Sequence, residues 1–270
     1  MRAALAWIFV CVIPTGCATR GIDEWPSITL GSVEFVTTTE FTQRLNVGPE
    51  SVEFGATIHG EERYDVTEHS TDGTVTLHVR RGRIWGAFRE GEETTEFDTA
   101  RPDPLPRAAQ PWVDALLPHQ VFEIDPNGIV LSARVVDDQG RLCESNDHDR
   151  ETVQVSFVQR PPDGPIVRGR TWDPELGIHE CTPDGCVAFE TTNTIAEFDA
   201  DSITIESRAE PPSSIDLPGF EPILRRVELS RRDGLPITMR VTGTQVREQR
   251  DARLEIEMRW ELQRAPTHEP

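Results

Sequence analysis

The sequence predicts a mostly β protein in which antiparallel sheets form an open barrel or a half-barrel pair, with one short helix near 111–117. From about Ser32 onward, hydrophobic and polar residues alternate with period two. This pattern is typical of strands with one buried and one solvated face, and it favours antiparallel over parallel sheets. Turn-forming Pro, Gly, Asn and Asp residues lie between the alternating runs, as hairpin connections require.

The clearest predicted strand is Arg253–Gln263. Every second residue in it is apolar, whereas the residues between are charged or polar. Its expected partner is Ile237–Val246, which the chain enters through the Asp-Gly-Leu-Pro turn at 233–236. These two segments predict a pair of neighbouring antiparallel strands.

Two further hairpins are predicted upstream. Residues 121–131 contain the turn Asp125–Gly128, in which Pro presets the first corner and Asn-Gly accepts the left-handed residue. Residues 75–79 are apolar at alternate positions, and after an Arg-rich segment at 80–83 the chain resumes with the largely apolar residues 84–88. We expect that segment to be the turn of the second hairpin.

A single helix is predicted at 111–117. It starts with Pro111, a favourable first-turn residue, and stops at Pro118. Because it follows a Pro-rich connection, we expect it to divide a β-rich domain at 32–265 into possible halves at 32–105 and 119–265.

The charge of the chain excludes one class of partner. Its 270 residues contain 27 basic and 47 acidic side chains, a net charge of −20, and every basic side chain other than His is Arg. No basic stripe is available to displace the counterions of a polynucleotide, so a nucleic-acid partner is not expected. The same acidity disfavours direct binding to anionic lipid headgroups.

The N-terminus reads as a targeting segment. Its apolar run Ala3–Ile13 follows one Arg and is too short to span a bilayer. Small residues then precede Cys17, and the whole segment resembles a bacterial lipoprotein signal. The resemblance implies a signal peptide at 1–16, diacylglyceryl modification of Cys17, and a lipidated tether at 17–31 that binds the membrane. In such lipoproteins an Asp after the modified Cys is associated with retention in the inner membrane. Because residue 18 is Ala, the resemblance implies an outer-membrane anchor facing the periplasm. An ordinary secretory signal is the alternative.

Two of the five cysteines flank a turn. Four turn-forming residues separate Cys181 from Cys186, so a hairpin would bring them within bridging distance, and we expect a disulfide in an oxidising compartment. A redox pair, or a zinc site completed by His179 and Cys143, is the alternative. Cys143 could also pair with either of the other two.

Several short segments resemble an uncharacterised family of predicted bacterial lipoproteins. They are residues 96–99, 116–118, 122–128, 162–172 and 233–236. The resemblance implies a β-rich envelope domain of unknown function and carries over no catalytic residue. A weaker likeness, from the lipid signal and the Gly-Leu-Pro strand entry, is to lipoprotein-carrier proteins whose open β-barrel holds acyl chains.

No motif for nucleophilic catalysis, zinc proteolysis or phosphate binding is present in the sequence. We therefore expect a non-enzymatic outer-envelope lipoprotein without cofactor or metal, which binds a lipid, a peptide or an envelope protein through an apolar sheet surface. The candidate lining residues are tryptophans, which could instead fill the core: Trp85, Trp112, Trp172 and Trp260.

Two other functions stay open at this point. One is a metal-dependent hydrolase using His179, Cys181 and Cys186. The other is a surface-structural or assembly protein in which the Pro-rich loop Glu210–Pro222 docks a partner.

Overall fold

The computed structural model describes residues 24–107, 109–110, 113, 119–126, 128–136, 142–143, 161, 164–174, 179–182, 185–211, 219, 221–249 and 252–266. The predicted signal peptide, Cys17 and Trp112 lie outside these residues. Of the predicted helix, Val113 is described, and its N–H donates to the carbonyl of Ala109 at 3.0 Å, which is a helical i→i−4 bond. Within the described ranges, no helix has the length and hydrophobicity needed to cross a membrane.

The described residues form fifteen β-strands. In chain order they are β1 Gly31–Val47, β2 Glu50–His69, β3 Val75–Glu90, β4 Glu93–Asp98, β5 His119–Ile124, β6 Val130–Val136, β7 Leu142–Cys143, β8 Thr171–Trp172, β9 His179–Thr182, β10 Gly185–Ala188, β11 Glu190–Phe198, β12 Ser202–Glu210, β13 Ile223–Ser230, β14 Pro236–Gln249 and β15 Ala252–Arg264. The predicted mostly β architecture is confirmed.

Thirteen of these strands form one antiparallel sheet in the order β7-β6-β5-β3-β2-β1-β15-β14-β13-β12-β11-β8, with β4 paired to β3. β9 and β10 form a separate hairpin. In the described part of the chain β7 and β8 do not pair with each other, so the sheet is open, as predicted. Its strands come from both predicted halves of the domain, because β1 pairs with β15.

Two of the predicted strand pairs are confirmed. β15 pairs with β14 over the expected residues, and Trp260 lies opposite Val241. β5 and β6 form the predicted hairpin, in which the N–H of Gly128 donates to the carbonyl of Asp125 at 3.0 Å.

The predicted hairpin at 75–88 is wrong, because these residues belong to the single strand β3. Opposite Gly60–Glu62 of β2, β3 spans the longer segment Arg81–Ile84, so β3 has one extra residue there. Such a β-bulge moves the buried side of the strand from odd positions such as Val79 to even positions. A turn and a bulge both interrupt the alternation of apolar and polar residues, so the sequence pattern alone does not distinguish them.

One face of the sheet is buried, and its larger cluster draws on both wings of the sheet. This cluster contains residues of β3, β5 and β6 on one wing and of β11 to β14 on the other. Residues of both wings meet in this cluster at one end of the long strands, together with Trp25 and Ile28 of the N-terminal segment. We call this the sealed end. There Phe35 of β1 and Leu262 of β15 are each 1% exposed.

A smaller cluster lies further along β2, β3 and β4. Its buried members are Ala56, Ile58, Ile84, Phe88, Phe97, Ala109 and Val113. The last two come from the segment after β4, so a connection rather than a second wing covers this part of the sheet.

The N-terminal segment packs against the sealed end. The ring of Trp25 lies edge-on to Trp172 with centroids 6.3 Å apart, and the N–H of Thr29 donates to the carbonyl of Asp233 at 3.1 Å. Arg264 donates to both carboxylate oxygens of Asp233 at 2.9 and 3.0 Å. Partial burial raises the pKa of Asp233, but the hydrogen bonds from Arg264 and its charge outweigh this and lower that pKa below its usual value.

Candidate apolar ligand-binding face

Alternate residues of each long strand point to the buried face of the sheet, which we call the inner face. Along β1, Phe35 is 1% exposed, whereas Leu45 is 39% and Val47 is 49% exposed on the same face. The inner face thus emerges into solvent at the end of the strands opposite the sealed end. We call this the open end.

The strands on either side of β1 show the same gradient. On β15, Leu262 is buried and Met258 is 44% exposed. On β2, Val52 is 57% exposed and lies opposite Leu45. Partly buried apolar residues continue this surface: Phe41, Phe54, Leu254, Ile256 and Trp260.

These nine residues, Leu45, Val47, Val52 and Met258 with the five just named, form the apolar patch. Phe54 connects it to the smaller cluster, since its ring lies 6.2 Å from Phe41 and 6.1 Å from Phe88. Contiguous apolar surface of this kind is typical of a binding site rather than of ordinary protein surface.

The outer face of the same strands is charged. Arg44 of β1 pairs with Glu53 of β2 at 2.9 Å, and Arg240 of β14 pairs with Glu261 of β15 at 3.2 Å. One large apolar side chain on this outer face, Leu224 of β13, is 48% exposed. The wet and dry faces predicted for β15 are therefore both present.

The tryptophans predicted to line one apolar surface do not all lie on the same face of the sheet. Trp172 is buried in the larger cluster, and Trp260 packs partly buried against that cluster on the inner face. Trp85 lies on the outer face, where its ring stacks on His59 at 5.4 Å and the guanidinium of Arg83 lies 4.9 Å from the ring centre. Trp85 thus shares no face with Trp172 and Trp260, because the bulge in β3 reverses the side on which it emerges.

The hairpin β9–β10 places Cys181 opposite Cys186. The backbone register that the predicted disulfide needs is present, and the bond itself stays a prediction. Among the described residues, no group of three or more His, Cys, Asp or Glu is arranged to hold a metal ion.

A buried arginine on the inner face was not singled out from the sequence. Arg225 of β13 is 5% exposed and donates to Ser207 Oγ at 3.0 and 3.2 Å and to Asn193 Oδ1 at 3.5 Å. Burial lowers the pKa of Arg225 to about 10, because the charged form loses its hydration. The sequence carries a signal for it, since Arg225 takes an inward position between Ile223 and Val227.

No protein-family model matches the chain, and no curated protein sequence is significantly similar to it. The predicted family resemblance therefore stays an expectation. Among solved structures, the chain is similar to one titled "Lipid-protein interactions in lipovitellin", with 9% identity and a TM-score of 0.51 over 88% of this chain and 25% of that chain. The chain thus spans about a quarter of that protein's length, and the likeness concerns the fold alone.

Two other structures superpose much less well. DynF from the dynemicin biosynthesis pathway of Micromonospora chersina shares 9% identity, with a TM-score of 0.20 over 91% of this chain and 86% of that chain. A DUF1329 family protein from Desulfovibrio piger shares 10% identity, with a TM-score of 0.15 over 86% of each chain.

Proposed function

We propose that the protein is a non-enzymatic binding protein whose apolar patch holds the acyl chain of a lipid. The observation that carries this proposal is the exposure of Leu45, Val47, Val52 and Met258 on a face that is fully buried at the other end of the same strands. Each methylene group removed from water on that face contributes about 0.8 kcal/mol to binding.

An acyl chain suits this face better than a peptide does. Along the patch, the backbone groups of β1 and β15 are already paired with a strand on each side, so the inner face there presents side chains and no free backbone partners. A peptide lying on it would leave its own N–H and C=O groups without partners, whereas an acyl chain has none to satisfy. The fold similarity to lipovitellin, in a structure that describes its lipid-protein interactions, supports the same ligand class.

We further propose that the protein is a lipoprotein of the cell envelope, anchored at Cys17 to the outer membrane and facing the periplasm. The support is the N-terminal sequence and the position of residues 24–30 at the sealed end. Six residues lie between Cys17 and Glu24, so the two are about 25 Å apart at most. β1 then extends for about 50 Å towards the open end. We take the ligand of the patch to be a molecule other than the lipid of this anchor.

Titration of the full chain with the fluorescent fatty acid cis-parinaric acid tests this proposal. Met258→Asp puts a charge into the patch, and Leu224→Asp is its matched control, since Leu224 is similarly exposed on the outer face. We expect saturable binding, weakened about tenfold or more by Met258→Asp because burying an unpaired charge against the chain is costly, and unchanged by Leu224→Asp. Equal effects of the two substitutions, or no saturable binding, would overturn the proposal.

A further inference from the structure

One arginine lies beside the apolar patch at the open end of the inner face. Arg247 of β14 is exposed and lies directly opposite Leu254 of β15, and Leu254 lies opposite Leu45 of β1. Residues directly opposite each other in an antiparallel sheet point to the same face, with Cβ atoms about 5 Å apart. Arg247 therefore borders the patch on the β14 side, where a ligand reaches it from solvent.

Among the described residues, Arg247 has no carboxylate partner. With the side-chain amide of Gln245 oriented so that its oxygen faces the guanidinium, this oxygen accepts from Nη2 of Arg247 at 2.6 Å. Gln245 is a neutral acceptor and leaves the charge of Arg247 uncompensated. By contrast, Arg240 on the outer face of the same strand pairs with Glu261 at 3.2 Å. The positive charge beside the patch is thus available to an anion.

Acidic side chains border the same face on its other side. Glu90 of β3 lies opposite Phe54 of the patch, and Glu93 of β4 lies opposite Glu90. Glu50 of β2 lies opposite Val47. All three glutamates are exposed, and we call them the acidic rim. The open end of the inner face is therefore positive at β14 and negative at β2 to β4.

This charge distribution favours one orientation of an anionic ligand. Leu254 and Leu45 lie between Arg247 and Val52, which is three strand spacings, or about 15 Å, from Arg247. A long acyl chain that lies across these strands covers the three apolar side chains while its head meets Arg247. In the reverse orientation an anionic head would lie among the carboxylates of the acidic rim, where like charges repel.

We infer that the acyl-chain ligand is a free fatty acid whose carboxylate is bound by Arg247, an inference that rests on the proposed function. A guanidinium offers two parallel N–H donors that match the two oxygens of a carboxylate. One positive charge compensates one carboxylate. A phosphate monoester carries up to about two negative charges, and the second would be uncompensated on a chain with a net charge of −20.

Three probes with the same chain and different heads test this inference on the full-length protein: oleate, oleyl alcohol and oleyl phosphate. Each is titrated against bound cis-parinaric acid at low salt. We expect oleate to bind about fivefold more tightly than oleyl alcohol, which corresponds to the upper range for an exposed ion pair. In about 0.5 M NaCl the two affinities should agree within about twofold, because salt screens an exposed pair. We expect oleyl phosphate to bind no more tightly than oleate.

Arg247→Gln removes the charge from an exposed position. It should weaken oleate about fivefold and leave the affinity for oleyl alcohol within about twofold, because the patch is unchanged. Arg247→Glu should weaken oleate about tenfold or more, since it adds repulsion of the carboxylate. The matched control is Arg253→Gln, which makes the same change of net charge at an exposed position on the outer face of β15. It should change the affinity for oleate by less than about twofold.

The outcomes separate the two proposals. If oleyl alcohol binds as tightly as oleate at low salt, or if Arg247→Gln and Arg253→Gln weaken oleate equally, the headgroup inference is wrong and the proposed function stands. Tighter binding of oleyl phosphate than of oleate would overturn the assignment of the head as a carboxylate. If neither oleate nor oleyl alcohol binds in a saturable manner, the proposed function fails and the inference fails with it. Circular dichroism and thermal unfolding of each variant identify loss of binding that is caused by misfolding.

Discussion

The two ends of the sheet are built from the same strands and differ in what covers them. On β1, Phe35 and Leu45 lie on one face, and the first is 1% exposed while the second is 39% exposed. At the sealed end the inner face is buried in the larger cluster, whereas at the open end its apolar side chains meet solvent. Alternating apolar residues therefore predict a face that is removed from water, either by the protein or by a ligand. At the sealed end this face is part of the core, and at the open end it is a surface suited to a ligand.

The largest expected effect comes from a cavity at the sealed end. Ile205 is fully buried in the larger cluster, so Ile205→Ala should lower the free energy of unfolding by about 3 kcal/mol. Leu45→Ala at the open end should lower it by less than about 1 kcal/mol, since less of that side chain is removed from water on folding. Urea denaturation of both variants measures the difference, and equal losses would contradict the distinction between the two ends.

A smaller effect is expected from the ion pair at the sealed end. Asp233→Asn removes the charge to which Nη1 and Nη2 of Arg264 donate, and it should cost about 1–2 kcal/mol of unfolding free energy. The control Glu40→Gln breaks an exposed pair with Arg259 at 3.7 Å and should cost less than about 0.5 kcal/mol. If the two substitutions are equally costly in thermal unfolding, the pair does not stabilise the sealed end.

Acid should weaken the region around the smaller cluster through Asp98. Hydrogen bonds from Arg83 at 2.9 and 2.7 Å and from the N–H of Ala100 at 3.0 Å lower the pKa of Asp98 from 3.8 to about 2. Because the folded-state pKa is the lower one, this carboxylate stabilises the protein above pH 4, and the contribution is lost as the pH falls towards 2.

Urea unfolding between pH 5 and about 2.5 should therefore show a shallower loss of stability for Asp98→Asn than for the wild type. Parallel pH profiles for the two proteins would show that Asp98 does not contribute in this way.

The smallest effect on stability is expected in the patch itself. Met258→Ser should change the unfolding free energy by about 0.5 kcal/mol or less, as should the outer-face control Leu224→Ser. Thermal unfolding of both variants without ligand measures this. A large loss for Met258→Ser alone would indicate that the open end is part of the folded core.

The sequence predicts which residues share a face but not what lies opposite that face. The alternation in β15 correctly groups Met258 with Leu262, and it contains nothing that distinguishes the exposed one from the buried one. The turn chemistry of Asp125–Gly128 is local and was therefore predictable. The side on which Trp85 emerges was not, because a one-residue bulge reverses a strand. Arg225 was recognisable as an inward arginine, but its contacts with Ser207 and Asn193 depend on pairings between strands that are distant in sequence.

The most direct test of the central claim is photo-crosslinking of the full chain with a fatty acid that carries a diazirine near the end of its chain, followed by mass spectrometry of the peptides. We predict that adducts concentrate on the residues of the open end, in the segments 41–54 and 254–260, and that excess oleate competes them away. Adducts that concentrate instead on the outer face around Leu224, or that excess oleate does not reduce, would contradict the assignment of the open end as the binding surface.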